Sequence, residues 1–228
     1  MSDLLVDSAE IGRAVRILFG ANEVMEVRIP KTRFGVVSGY FDNHALMVKE
    51  ILRADRQHRP SGVYWVLNKL DPALLGRAYN RLVERAEHTT ADNNILRRRW
   101  LPVDLDPVRP AGVSSSEEEK DLALRRAGAV AAEMAREFGQ PILGDSGNGA
   151  HLLYPIDLPN DEESLALVSG ALAELDRRYS DEHVKVDVTC ANAARIWKVY
   201  GTVARKGDSI PGRPHRLSKI LEVLSDQS

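Results

Sequence analysis

The fold is decided by the stretch that begins with the strand RWLPVDL (99–105) and ends with the strand HVKVDV (183–188). Both segments are rich in β-branched and aliphatic residues, which favour strands. Two capped helices and two further strands lie between them: a helix from the Ser116–Glu119 capping box to about Phe138, the strands PIL (141–143) and AHLLYPI (150–156), and a helix from Asn160 and Glu163 to about Tyr179. This β-α-β-β-α-β order is the split βαβ pattern of RRM-like domains, and it predicts an α+β fold class.

The first 94 residues predict a second unit, of mixed α/β type. Its strands are EVMEVRI (23–29), FGVV (34–37) and GVYWVL (62–67). Two helices are expected, one capped by Asp42 or Asn43 and one that begins at Asp71-Pro72 and carries Leu74, Leu75, Ala78, Leu82 and Val83 on one face. We therefore divide the chain into an N-terminal α/β subdomain, residues 1–94, and an RRM-like subdomain, residues 95–228. In the second part, ARIWKVYG (194–201) predicts a further strand, and the basic segment up to Arg216 predicts a loop.

The composition excludes several classes of protein. The chain has 228 residues and a net charge of −2, whereas a simple DNA-coating module is usually basic. A single cysteine, Cys190, excludes an internal disulfide and a zinc site built from several cysteines. No apolar run approaches the roughly 18 residues of a membrane span, and the acidic N-terminus lacks the layout of a signal peptide. We therefore expect a cytoplasmic protein.

The predicted sheet brings polar side chains from three neighbouring strands onto one open face. Asp104 and Asp106 are two residues apart and share a face, while Val103 and Leu105 point to the helices. The same alternation places His151 and Asp187 on the open face. Each residue alone has an ordinary explanation, since paired aspartates are mostly solvated and a lone histidine is mostly structural. Their convergence is informative because carboxylates repel one another unless a cation neutralises them.

Three carboxylates on one face are typical of a site for divalent metal ions. Oxygen ligands favour Mg²⁺ or Mn²⁺ over zinc, and two such ions can align an attacking hydroxyl with a leaving pyrophosphate. The adjacent segment SGNGAH (146–151) offers backbone N–H groups and the Ser146 hydroxyl to phosphate oxygens. A cationic stretch that suits a triphosphate or a nucleic-acid backbone follows the third carboxylate: Arg195, Lys198, Arg205, Lys206, Arg213, His215 and Arg216.

Three segments together resemble the motif series of archaeo-eukaryotic primases. They are WLPVDLDPVRPAG (100–112), GDSGNGAHLLY (144–154), and VDVTCANAARIWKVYGTVARKGD (186–208) with RPHR (213–216). The series is most similar to the primase-polymerase (PrimPol) domains found in phages, plasmids and CRISPR-associated proteins. The resemblance implies an active site in a cleft between the two subdomains. It also implies two groups of site residues: the catalytic metal ligands Asp104, Asp106 and Asp187, and the nucleotide-binding residues Ser146, His151, Arg205, Lys206 and His215.

The function that this resemblance implies is that of a DNA-dependent primase-polymerase. Such an enzyme transfers a nucleotide from an NTP or dNTP to a primer 3′-hydroxyl or an initiating nucleotide on a single-stranded DNA template. The implied cofactors are two Mg²⁺ or Mn²⁺ ions, and the implied partners include a helicase or a further C-terminal domain. The chain lacks the cysteines of the zinc motif that many cellular primases carry, and it ends soon after RPHR. We therefore expect a minimal or excised catalytic domain, monomeric and encoded by a bacterium, phage or plasmid, that extends strands more readily than it starts them.

Three other functions stay open at the level of the sequence. A metal-dependent nuclease or phosphohydrolase would use the same carboxylates, although it needs no second cradle for phosphate. A rolling-circle initiator shares the RRM-like core but requires paired metal-binding histidines, and no His-x-His pair occurs here. A non-catalytic replication module that binds single-stranded DNA would place aromatic residues, not carboxylates, on the sheet face.

Overall fold

The computed structural model describes residues 4–223, which form four α-helices, three 3₁₀ helices and twelve strands. The α-helices are α1 (Ser8–Leu18), α2 (His44–His58), α3 (Glu117–Phe138) and α4 (Glu162–Tyr179). The 3₁₀ helices are Pro72–Arg77, Asp92–Asn94 and Val188–Ala191. The strands are β1 (Met25–Thr32), β2 (Gly35–Phe41), β3 (Tyr64–Val66), β4 (Lys69–Leu70), β5 (Ile95–Pro107), β6 (Ile142–Asp145), β7 (Ala150–Pro159), β8 (Val184–Val186), β9 (Ile196–Lys198), β10 (Val203–Ala204), β11 (Arg216–Leu217) and β12 (Lys219–Val223).

The RRM-like sheet has the predicted arrangement. Its strand order is β12-β6-β7-β5-β4, and β8 pairs with the C-terminal end of β5. β5 and β7, the first and third strands of the pattern, thus lie in the centre, with α3 packed on both and α4 packed on β8. Val103 and Leu105 point from β5 into the core and are completely buried. The prediction of an α+β fold with a split βαβ core is confirmed.

The N-terminal sheet has the order β2-β1-β3-β9, and each of these pairs is antiparallel. α1 packs on α2, and α2 packs on β1 and β2. The strand predicted within residues 194–201 is β9, which lies in this sheet, whereas β4 lies in the RRM-like sheet although it precedes residue 94. The two sheets thus exchange strands and share a continuous hydrophobic core. The division of the chain at residue 94 stays a prediction about folding units.

The prediction of an α-helix from Asp71 onward is wrong. Asp71 does cap a helix, since its carboxylate accepts a hydrogen bond from the Ala73 N–H, but only the 3₁₀ helix Pro72–Arg77 follows. The segment beyond it forms five backbone hydrogen bonds with β2, two of them between Val83 and Ser38. β2 is an edge strand, and a segment that pairs with its edge satisfies backbone groups that an α-helix would leave unpaired.

Three other boundaries differ from the sequence-based predictions. β8 ends at Val186, one residue before Asp187, so the predicted strand 183–188 is shorter than expected. α4 is capped by Asp161, whose carboxylate accepts a hydrogen bond from the Ser164 N–H, and not by Asn160. The basic segment before Arg216 includes a strand, β10, which pairs with β11. Among the helices of residues 4–223, none combines the length and the apolar character needed to cross a membrane.

Replacing Ser116 by Ala is expected to lower the free energy of unfolding by about 1 kcal/mol. The Ser116 hydroxyl accepts a hydrogen bond from the Glu119 N–H, and the Glu119 carboxylate accepts one from the Ser116 N–H, so the substitution removes half of a complete capping box. Urea denaturation measures the loss. Ser169→Ala is the control, because Ser169 lies inside α4, where alanine favours the helix; an equal loss in both variants would contradict the capping role.

Candidate active site

A cleft of about 440 Å³ opens between the two sheets. Its walls carry residues from both, with Asp104 and His151 on the RRM-like side and Lys31 and Tyr64 on the N-terminal side. Five of the eight predicted site residues line the cleft: Asp104, Asp106, Ser146, His151 and Lys206. The cleft is therefore the place where the sequence-predicted groups meet.

Asp104 lies at the centre of the sheet, where the strand alternation predicts it. It is directly opposite His151 in the pairing of β5 with β7. Its side chain is 23% exposed, and its Oδ1 atom is buried with no hydrogen-bond partner among the described residues. Asp106, two residues on, is 48% exposed and accepts a hydrogen bond from the Arg109 guanidinium at 3.2 Å. A buried carboxylate oxygen without a donor is costly unless a cation or a proton neutralises it.

Asp187 reaches the same place by a different route from the one that the sequence predicts. It follows β8 and caps the 3₁₀ helix Val188–Ala191, where its carboxylate accepts hydrogen bonds from the Thr189 N–H and hydroxyl. Its own N–H donates to the Asp104 carbonyl oxygen at 2.9 Å, which fixes the two residues side by side. Arg195 forms an ion pair with Asp187 at 2.6 Å. The prediction that Asp187 lies on a strand face is thus wrong, but its position beside Asp104 agrees with the predicted convergence.

The electrostatics of this acidic group (Asp104, Asp106 and Asp187) leave one carboxylate uncompensated. Burial, followed by the charges of Asp106 and Asp187, raises the pKa of Asp104 well above its usual range. Burial also favours the neutral form of Asp187, but hydrogen bonds from Thr189 and the charge of Arg195 outweigh it and lower the pKa of Asp187. Ionisation of Asp104 is therefore unfavourable in the folded protein, whereas ionisation of Asp187 is favoured.

The acidic group can hold a divalent cation. Single ligand atoms of Asp104, Asp187 and Cys190 all lie within 4.8 Å of one another. Burial and the nearby Asp104 raise the pKa of the Cys190 thiol, so this sulfur stays protonated and is a poor ligand. Carboxylate oxygens are then the donors, and they fit Mg²⁺ or Mn²⁺. The buried Oδ1 atom of Asp104, which lacks a partner, is the position at which such an ion would compensate a charge.

The turn between β6 and β7 differs from the expected phosphate cradle. Its backbone N–H groups are used inside the turn: Gly147 donates to the Asp145 carboxylate, and Asn148 and Gly149 donate to the Ser146 hydroxyl. Gly147 has φ +92°, and a Cβ there would lie 2.7 Å from the Cβ of Ala204, so this position requires glycine. The turn therefore offers the cleft the proton of the Ser146 hydroxyl and the Nδ2 group of Asn148, whose Oδ1 accepts from the Ser115 N–H, but not a row of free amides.

His151 is almost completely buried, at 4% exposure, and is one of the residues that line the cleft. Its Nδ1 atom is 2.9 Å from the Tyr200 hydroxyl, and its ring lies against the Trp197 ring at 4.1 Å between centroids. Its Nε2 atom is 3.6 Å from Oδ1 of Asp104. Burial, assisted by the charge of Lys198, lowers the pKa of His151 to about 3, so the imidazole is neutral.

Arg205 and His215 do not line the cleft. The Arg205 guanidinium is buried and forms two hydrogen bonds with the Asp55 carboxylate, at 2.6 and 3.1 Å. His215 lies outside the cleft, with Nε2 2.8 Å from the Gly207 carbonyl oxygen. Arg213 and Arg216 form ion pairs with the first turn of α3, so much of the predicted cationic stretch is already neutralised. Of the predicted nucleotide-binding cations, Lys206 is the one that lines the cleft.

Comparison with known proteins gives a likeness at the level of fold. No protein-family model matches the chain, and no curated protein matches it. Among solved structures it is similar to the crystal structure of primase RepB′, with 13% identity and a TM-score of 0.48. The match covers 94% of this chain and 56% of the RepB′ chain, so the chain spans little more than half of that protein. A likeness of this degree carries no information on substrate or activity.

Two cations in the cleft, Lys31 and Arg109, were not predicted at all, and two more, Arg195 and Lys198, were predicted only as part of the cationic stretch. Lys198 is buried, donates to the Val203 carbonyl oxygen at 3.0 Å, and has its pKa lowered to about 7 by burial and by Arg205. The sequence could have indicated Arg109, because it lies three residues after Asp106, with which it pairs. The sequence could not have indicated Lys31, since it belongs to the other sheet and only the tertiary fold brings it to the cleft.

Proposed function

We propose that the chain is the catalytic domain of a primase-polymerase. It would transfer nucleotides from an NTP or dNTP to a 3′-hydroxyl on a single-stranded DNA template. The observation that carries the proposal is the composition of the cleft: Asp104 and Asp106 line it, Asp187 lies beside Asp104, and lysine and arginine side chains line the same cleft. A metal-bound triphosphate has this pattern of charge, with cations at one end and phosphate oxygens at the other.

Asp104, Asp106 and Asp187 would hold the two divalent ions. When bound, such ions acidify an attacking hydroxyl and neutralise a leaving pyrophosphate. Arg195 holds the Asp187 carboxylate, and Arg109 holds that of Asp106, so both acids are oriented before a metal arrives. Asp104 has no such donor on Oδ1 and gains most from the ion.

Other residues that line the cleft would bind the triphosphate. Lys206 and Lys31 supply positive charge there, and Ser146 and His151 supply neutral hydrogen-bond donors. His151 is neutral and its Nε2 atom lies on the side of Asp104, which suits a hydrogen-bond donor better than an ionic contact. Arg205 and His215 are not included, because their polar atoms are engaged elsewhere.

The proposal is tested by incubating the purified chain with a labelled primer annealed to a longer template, nucleotides, and Mn²⁺ or Mg²⁺. Extension that stops when the metal is chelated supports the proposal. Shortening of the labelled strand would favour the metal-dependent nuclease instead. Binding of single-stranded DNA without any change in strand length would favour a non-catalytic binding module.

Replacing His151 by Ala is expected to weaken nucleotide binding by about 1.5–3 kcal/mol, because it removes one hydrogen bond to a charged phosphate. Template binding should change little, since His151 is buried beside the acidic group and not on an exposed surface. Separate titrations of labelled nucleotide and labelled single-stranded DNA measure the two affinities. Equal losses for both ligands would contradict the assignment of His151 to the triphosphate.

A further inference from the structure

The hydroxyl of Tyr200 lies between two nitrogen atoms in the core behind the cleft. Tyr200 is completely buried, and its oxygen is 3.2 Å from Nε1 of Trp197 and 2.9 Å from Nδ1 of His151. Gly144, which pairs with His151 across β6 and β7, makes room for this hydroxyl, because a Cβ at Gly144 would lie 2.6 Å from it. The three side chains therefore form a short hydrogen-bonded chain that ends at the cleft.

The direction of each hydrogen bond in this chain follows from the chemistry of the groups. An indole nitrogen can only donate, so the Tyr200 oxygen accepts from Trp197. The hydroxyl proton of Tyr200 then needs an acceptor, because a buried donor without one is costly. In residues 4–223, the acceptor within hydrogen-bond distance of that oxygen is Nδ1 of His151. Nδ1 can accept only if it carries no proton, so the proton of the neutral ring is on Nε2.

We propose that Tyr200, supported by Trp197, is a positioning residue that fixes His151 in the Nε2–H form and so directs a hydrogen-bond donor into the cleft. His151 lines the cleft, and Nε2 is the ring atom on the side of the acidic group, 3.6 Å from Oδ1 of Asp104. A histidine of this form cannot use Nε2 as a metal ligand or as a general base, because that atom has no free lone pair. It can donate to an anion. That the anion is a triphosphate rests on the proposed function, whereas the position of the proton does not.

The tautomer is measured directly by nitrogen NMR on the full chain labelled with ¹⁵N-histidine. The signals of His151 are identified by their loss in His151→Gln. We expect a protonated Nε2 and an unprotonated Nδ1 in the wild type. A protonated Nδ1 in the folded wild type would overturn the proposal, whatever the chain does with nucleotides.

Two tyrosine variants test the role of the hydroxyl. Tyr200→Phe removes the donor to Nδ1, so the His151 signals should move toward a mixture of the two neutral tautomers. Tyr154→Phe is the matched control, because the Tyr154 hydroxyl is also buried but has no partner among the described residues. Unchanged His151 signals in Tyr200→Phe, or equal changes in both variants, would overturn the proposal.

The functional consequence is a loss of nucleotide affinity that acts through His151. Tyr200→Phe should weaken binding of a nucleoside triphosphate by roughly 3- to 10-fold, the contribution of one ordinary hydrogen bond. The same substitution should have no further effect when His151 is already Ala, since coupled residues are not additive. A further loss in the double variant would show a general structural role and contradict the proposal. If the wild type binds no nucleotide, the proposed function fails, and the NMR result alone decides the tautomer.

Discussion

Replacing Asp104 by Asn lowers the rate of nucleotide incorporation by roughly 10³-fold or more, if the acidic group holds the catalytic ions. The expectation rests on the several kcal/mol that metal ions contribute to stabilising the transition state, at about 1.4 kcal/mol for each factor of ten. Asn keeps the shape of the side chain but loses its charge. Single-turnover incorporation with Mn²⁺ or Mg²⁺ measures the loss. Asp157→Asn is the control, because Asp157 is an exposed carboxylate at the far end of β7 and pairs with Arg97.

The same substitution should raise the stability of the metal-free chain. Folding raises the pKa of Asp104, so its contribution to stability is present at low pH and is lost as the pH rises through the folded-state value. The ionised form of this carboxylate is therefore unfavourable in the folded chain, and Asn removes it. Thermal unfolding in the presence of a chelator should show a higher Tm for Asp104→Asn, and adding Mn²⁺ should stabilise the wild type more than the variant. A folded variant that incorporates nucleotides at the wild-type rate would contradict the metal assignment.

Replacing Arg205 by Ala is expected to lower the free energy of unfolding by about 3–5 kcal/mol, because it leaves the Asp55 carboxylate buried without its partner. Lys206→Ala is the matched control, at the adjacent residue. Lys206 is exposed and lines the cleft, so its loss should hardly change stability and should weaken nucleotide binding. The two adjacent cations thus separate a structural role from a binding role.

Urea denaturation and nucleotide titration of both variants measure this difference. Asp55→Ala should be destabilising in the same way as Arg205→Ala, and the double variant should lose less than the sum of the two single losses. A stable Arg205→Ala variant with weak nucleotide binding would instead place Arg205 in the binding site.

The acidic face could be predicted because strand alternation is a local rule. Asp104, Asp106 and His151 lie in long strands whose neighbouring residues, Val103 and Leu105 among them, are strongly apolar. Once the split βαβ order is recognised, the pairing of β5 with β7 follows, and Asp104 lies opposite His151. These residues share one face for the same reason that their neighbours share the core.

The partners of the cations could not be predicted in this way. Arg205 and Asp55 are 150 residues apart, and nothing in either neighbourhood indicates the other. The sequence predicts free backbone N–H groups in the β6–β7 turn. In the structure, the side chains of Asp145 and Ser146 accept hydrogen bonds from them, and the sequence does not show this. The length of the 3₁₀ helix after Asp71 could not be predicted either. The helical pattern continues beyond Arg77, but the chain there pairs with the edge of β2.

Templated addition tests the central claim most directly. A labelled primer is annealed to four templates that differ only in the first unpaired base, and each is incubated with the chain, Mn²⁺ and one nucleotide at a time. A primase-polymerase adds the nucleotide that is complementary to the template base, and it does so only with metal present. Addition that ignores the template base, shortening of the primer, or no change in any of the four would contradict the account.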